Sequence, residues 1–253
     1  MSDNAADYRA RIYERYASNF QSAPEVFDRL AARRWGRSYR YYLRGWLPSS
    51  RDARILDVAC GGGKLLQFFI DAGYRDVHGI DLSSEQVMLA RQVTPHVVQA
   101  NALDFLADHP ARFDLITGLD IIEHFRKEEI LTFLDLCYAA LKPGGRLVLQ
   151  TPNAESPWSM HYRYGDLTHE LAFNPNALTR LLSLVGFTAT EARETGPVPW
   201  GYSTPSTLRW LAWQLIRAGL KLWNLAETGD AGSGVLTRVF LVCATRGTQE
   251  VCS

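Results

Sequence analysis

Residues 55–69, ILDVACGGGKLLQFF, run a short apolar strand straight into three consecutive glycines and then a helical pattern. Such a stretch opens a βαβ unit, because glycine lets the chain turn tightly and bring bare backbone against a ligand. Apolar runs recur at βα spacing: ARILDVAC (53–60), DVHGID (76–81), HVVQA (96–100), FDLITGL (113–119) and GRLVLQTP (145–152). Strands separated by helices form a parallel sheet with right-handed crossovers. Two later runs differ. FTATEARETGPV (187–198) alternates apolar and polar residues, and VLTRVFLVCATRG (235–247) closes the chain with no helix after it, so the two could pair as an antiparallel edge.

Helix signals agree with this division. Ser83 and Gln86 suit a capping box, while Asn174, Pro175 and Gly186 suit the cap, first turn and stop of another helix. Between the fifth strand and that helix, NAESPWSMHYRYGDLTHELAF is long enough to be a lid or binding loop. A chain of 253 residues fits one α/β domain with decorations. Residues 1–50 would form a helical cap, 51–153 a cofactor-binding core, and 154–253 an acceptor side with a lid, a helical insertion and the last strands. Lys+Arg and Asp+Glu both total 27, which argues against gripping long nucleic acid by bulk charge. The four cysteines include no C-x-x-C pair, as for free thiols of a reducing compartment, and the N-terminus lacks a basic-then-apolar signal. A cytoplasmic protein is expected.

Asp81 follows Gly61 by 20 residues at the end of the next strand, where a carboxylate can take ribose hydroxyls. A dinucleotide fingerprint would need a further glycine at position 66, which is Leu66. Asp57, inside the first strand, could order the loop or meet a cationic amino-acid end of a ligand. LDVACGGGKLL, GIDLS, ANALDF, FDLITGLDIIEHF and LKPGGRLVLQTPN, spread over residues 53–153, together resemble the class I S-adenosylmethionine-dependent methyltransferases. Within that class the chain is most similar to ubiquinone-pathway O-methyltransferases and to methyltransferases of surface-polysaccharide gene clusters. The resemblance implies a seven-stranded Rossmann-like sheet of order 3-2-1-4-5-7-6 with the last strand antiparallel. It places Asp57, Gly61 and Gly63 around the methionine moiety of S-adenosylmethionine and Asp81 on the ribose. Asn101, the backbone of Ala102 and Leu82 fall at adenine. Ala59 stands where the family usually has glycine, and Asn101 where it often has Asp.

LDIIEHF (119–125) then puts Asp120, Glu123 and His124 on one turn at the carboxyl end of the fourth strand. A hydroxyl is a poor nucleophile until deprotonated, which calls for a general base or an acidifying metal. In relatives such as the ubiquinone-pathway enzymes and the small-RNA ribose methyltransferases of plants, a similar acid-x-x-Glu-His turn joins a distant histidine around a metal. That resemblance implies Asp120, Glu123, His124 and His169 around a divalent cation, Mg or Mn, although Asp120 is usually Glu there. A metal-free base or orienting role for His124 or His169, with Asp120 beside them, and a purely structural cap are the alternatives.

Two flanking segments bear on partners. RLAARRWGRSYRYYLR (29–44) holds six arginines and no acid. It reads as a solvated face or an anion site, with Arg37 or Arg40 on a cofactor carboxylate and Tyr13 and Tyr16 helping to close the site. STLRWLAWQLIRAGLKLWNLAETG (206–229) has a narrow polar stripe of Gln214, Arg217, Lys221 and Asn224 and a wide apolar face with Trp210, Trp213 and Trp223. It could pack on the domain, form a homodimer face, or lie peripherally on a membrane near a lipid-linked acceptor. The expected activity is O-methylation of a sugar or other small hydroxylated acceptor, phosphate- or lipid-linked, in polysaccharide biosynthesis. The alternatives are a quinone or small phenol as acceptor, and a non-catalytic binding module.

Overall fold

A computed structural model describes Ile12, residues 26–199 and residues 202–248; Tyr13 and Tyr16 lie outside the described residues. Strands β1 (Arg54–Val58), β2 (Asp76–Asp81), β3 (Val97–Gln99), β4 (Phe113–Leu119) and β5 (Leu141–Pro152) pair in parallel. β6 (Phe187–Glu194) and β7 (Val239–Arg246) complete one sheet of order β3-β2-β1-β4-β5-β7-β6. β7 runs antiparallel to both its neighbours, which is the doubly wound arrangement expected of the chain.

The central strands are apolar on both faces because both faces are covered. On β1, Leu56 joins the core formed with Ile116, Phe133 and Leu149, while Ile55 joins Leu66, Phe69 and Leu115 on the other side. The helices named among the described residues are α1 (Arg29–Tyr42), α2 (Lys64–Asp71), α3 (Ser84–Ala90), α4 (Ala102–Ala107), α5 (Ile130–Ala140), α6 (Ser159–Arg163), α7 (Pro175–Val185) and α8 (Thr204–Thr228). The caps fall where the sequence puts them. Ser83 Oγ accepts from Gln86 N and Asn174 Oδ1 from Ala177 N, and α7 stops on Gly186 in the left-handed region.

The arginines of α1 are exposed, and the first two of the stripe anchor the helix. Arg29 donates to Gln67 Oε1 and Gln92 O, and Arg33 pairs with Asp71, tying α1 to α2. The polar stripe of α8 likewise faces the protein. Arg217 pairs with Glu194 and donates to Gly234 O, and Asn224 donates to Asp230 O. Leu208, Leu211, Leu215, Leu222 and Leu225 of α8 point outward instead, Leu220 is partly covered, and Ser206 is the one buried residue of this helix. Among the described residues, no helix is long and apolar enough to cross a membrane.

Candidate active site

The carboxyl ends of β1, β2 and β4 open into a cleft of about 980 Å³, as expected where strand order reverses in such a sheet. The glycine loop forms its floor. Gly61 and Gly62 line it, whereas Gly63, at φ +90°, turns toward α3, where an added Cβ would stand 3.2 Å from Ala90 Cα. Gly63 is therefore a helix-packing glycine rather than a wall of the cleft. Gly62 was passed over in the sequence because it lies between two motif positions. A Cβ there would meet Leu89 Cδ2 at 2.6 Å. Ala59 holds φ +57°, a left-handed conformation that glycine adopts without strain.

Asp81 organises the loop. Its two oxygens accept from Gly61 N and Ser83 N, each at 2.9 Å, so one carboxylate fixes the glycine turn and the start of α3. Burial raises its pKa, and these backbone donors oppose the rise. Asp57 is fully buried and accepts from Thr117 Oγ1 at 2.7 Å. Desolvation pushes its pKa up to about 7, with the Thr117 bond pulling the other way. Asn101 caps α4, its Oδ1 taking Leu103 N at 2.8 Å, so its amide NH₂ is the end left for the cleft. Leu82 and Ala102 also line this half.

Arg37 does not. It lines a separate cavity with Arg33, Arg40, Gly36 and Phe68, because α1 turns Trp35 and Tyr39 to the cleft and the arginine row away from it. Among the described residues of the cleft, Lys64 is the permanently charged cation.

The opposite half gathers residues far apart in sequence. After β4 the chain turns at Asp120, φ +54°, into a single 3-10 turn, Ile122–His124. Gln150 Nε2 donates to both oxygens of Asp120, at 3.1 and 3.0 Å, while Gln150 Oε1 accepts from Tyr39 at 2.6 Å. Asp120 thus lines the cleft but stands outside the metal-type grouping, its short arm committed to Gln150. The expectation of Asp120 as a ligand is corrected accordingly.

Glu123, His124 and His169 do come together. One ligand atom from each lies within 4.8 Å of the others, and the imidazoles meet edge to face with centroids 4.7 Å apart. The lid orients both imidazoles. His124 Nδ1 is 2.9 Å from Thr168 Oγ1, which donates to Asp166. His169 Nδ1 faces Tyr162 O at 2.8 Å, so it carries the proton and leaves Nε2 as the lone-pair nitrogen. The backbone closes the arrangement, Glu123 O accepting from Glu170 N and Leu171 N. Glu123 is 0% exposed; Oε2 accepts from Thr151 Oγ1, and Oε1 has no partner. Burial and the nearby Asp120 charge hold Glu123 well above the usual carboxylate range. Burial and His169 push His124 down to about 4. A second grouping, Asp76, His78 and His96, is already committed, since Asp76 takes both Arg54 and His78.

Residues 25–192 match the model of a methyltransferase-domain family. The chain belongs to the class I S-adenosylmethionine-dependent methyltransferases. It is 39% identical over 120 residues to a ubiquinone biosynthesis O-methyltransferase of Xylella fastidiosa, covering 44% of this chain and 46% of that one. A protein of the same name from Bordetella pertussis is 29% identical over 203 residues, 72% of this chain and 82% of that one. The chain spans less than half the length of the first curated relatives it matches. An S-adenosylmethionine-dependent methyltransferase from Archaeoglobus fulgidus shares the fold at TM-score 0.62 and 19% identity, over 91% of this chain and 97% of that one. In this methyltransferase-family chain the glycine loop, Asp81 and the Glu-His-His grouping all line the one cleft.

Proposed function

We propose that the chain transfers a methyl group from S-adenosylmethionine to a phenolic hydroxyl, on a quinone precursor or a small phenol. The single observation that carries this reading is the buried Glu123 carboxylate, grouped with two imidazoles and with its Oε1 unpartnered, in the cleft. A buried polar atom without a partner costs roughly 1–3 kcal/mol, so a fold that keeps one has a use for it. Two imidazoles and a carboxylate suit a divalent cation, and this mixed nitrogen and oxygen set fits Mn²⁺ better than Mg²⁺, which prefers oxygen alone. Glu123, His124 and His169 would hold it. Such a cation, when bound, acidifies a neighbouring hydroxyl.

The chain's own residues do the rest. Asp57 meets the ammonium of the cofactor, Asp81 its ribose hydroxyls, and Asn101 with Ala102 and Leu82 its adenine. Asp120, held by Gln150, which Tyr39 holds in turn, fixes the turn that presents Glu123 and His124. The reaction needs alignment of acceptor oxygen, methyl and sulfonium more than it needs covalent help. The ubiquinone-named relatives support the phenolic acceptor better than the sugar expected from the chain's other resemblance. Chemistry points the same way, because a phenol ionises near pH ~10, far below an alkyl hydroxyl, and Trp35, Tyr39, Phe125 and Tyr162 offer aromatic walls.

The test is methyl transfer to a panel of catechols, phenols and nucleotide sugars, before and after chelation and with Mn²⁺ or Mg²⁺ returned. Phenolic turnover that is lost with EDTA and restored best by Mn²⁺ is expected. A full rate in EDTA would sink the cation, and transfer to sugars alone would sink the acceptor.

A further inference from the structure

The outward face of α8 has a regularity that neither the cofactor cleft nor the acceptor site uses. Leu208, Leu215 and Leu222 recur every seven residues, and Ala212, Gly219 and Ala226 recur every seven beside them. All six are exposed, Leu215 at 77%. Leu211 and Leu225 flank the seam on one side, Ile216 and Trp223 on the other, and each of these is also exposed. The outward face spans about 200° of the helix, twice what an ordinary core-facing stripe needs. Within it Arg209, near one end, and Glu227, near the other, are the charged residues. The groups that would suit water are turned inward onto Glu194, Gly234 and Asp230.

We propose that this face binds the same face of a second copy of the chain, the two α8 helices packing antiparallel about a two-fold axis. Heptad spacing is what keeps one seam facing a partner helix over several turns. The order of large and small residues then selects the direction. Run antiparallel about a centre near Arg217, Leu208 meets the partner copy's position 226, Leu215 its position 219 and Leu222 its position 212, so each leucine enters a gap left by Ala or Gly. Gly219 has that gap, since a Cβ added there meets nothing within 4 Å. Charge selects the same direction. Arg209 and Glu227 lie on one flank of the helix, and reversal brings each beside its opposite in the partner, at both ends of the seam. A parallel pair would put the two Arg209 side chains on opposite flanks of the seam, each beside the Leu211 flank of the other copy with no acid to meet it. A helix of 25 residues is about 37 Å long, enough for an interface near 800 Å² per partner, the size of stable ones. The face also lacks the row of flanking lysines and arginines that holds an amphipathic helix on an anionic membrane.

Light scattering on the full chain, at micromolar concentration, should give twice the 28.5 kDa chain mass. Gly219→Leu, which fills the gap, and Leu215→Glu should both give the monomer mass, with the helical signal and S-adenosylmethionine binding unchanged. Glu227→Arg should weaken self-association about tenfold, and adding Arg209→Glu in the same chain should restore it. A monomeric wild-type chain overturns the proposal, and so does a wild-type chain that floats with phosphatidylglycerol vesicles and is monomeric without them. A charge swap that fails to restore what the single reversal lost overturns the antiparallel arrangement.

Discussion

The two halves of the cleft are built by different means. The half read as the cofactor's is local: Asp57, Gly61, Gly62, Asp81 and Asn101 come from consecutive strand ends, and backbone N–H groups fix its Asp81 and Asn101, as when Gly61 N and Ser83 N both bind Asp81, with Asp57 held by Thr117. The acceptor half is assembled from side chains on β4, β5 and the lid, and its links are long in sequence, such as Tyr39 to Gln150 and Thr168 to His124. A site held by backbone tolerates changes around it. A site held by side chains fails piece by piece.

That contrast can be broken at several points. The largest effect is expected from Glu123→Gln and His169→Ala, which should each lower turnover about a thousandfold while leaving the S-adenosylmethionine Kd within about twofold, by rate assay and calorimetry. Equal losses in both quantities would mean that the halves are not separable. Next, Asp81→Ala should weaken cofactor binding about a hundredfold, since it removes the loop clamp along with the ribose acceptor. A loss below about fivefold would leave the glycine loop standing without it.

A third test concerns protons. Burial lifts Asp57 to about 7, so cofactor binding should tighten about tenfold between pH 6 and 8 as the carboxylate ionises to meet an ammonium, and Asp57→Asn should flatten the profile. The sign for stability is opposite. The fold favours protonated Asp57, so this group's contribution is complete below its unfolded value, about 4, and is lost as pH rises through about 7. The cofactor-free chain should therefore melt at lower temperature at pH 8 than at pH 5 where this group dominates. The smallest effect is at Ala59. Ala59→Gly should raise stability by about 1 kcal/mol by removing left-handed strain, measured as a shift in denaturation midpoint.

The local half was legible in the sequence for the same reason that it is robust. A strand, a glycine turn and an acid at the next strand end are neighbours in chain order, so spacing alone locates Asp57, Gly61 and Asp81. The parallel core was legible as well, because five buried strands alternate with helices and two later ones do not, whereas the order of the strands followed only from the resemblance to the methyltransferase class. What spacing could not give is the fate of a side chain with two available partners. Asp120 shares a turn with Glu123 and His124, yet both its oxygens are bonded by Gln150, thirty positions on. Arg37 sits in a row of arginines that periodicity places on one face, but which face meets the cleft is decided by Trp35 and Tyr39 packing toward it. The same holds for α8, whose polar stripe is plain in the sequence while its inward direction depends on Glu194 in a distant strand.

The lid has a property that follows from how its ends are fastened. Asn153 and Phe173 form a parallel bridge, Ala154 N binds Phe173 O, and the Glu123 carbonyl holds Glu170 and Leu171. Residues 154–172 are thus a closed loop clipped at its base to the sheet, carrying His169 at a fixed place while Trp158, Met160, Tyr164 and Leu167 remain outside on its rim. Such a loop is a natural unit of exchange. Grafting another acceptor's loop between the same two clips should change what the enzyme methylates without disturbing how it holds its methyl donor, so that selectivity in this scaffold becomes a cartridge rather than a property of the whole chain.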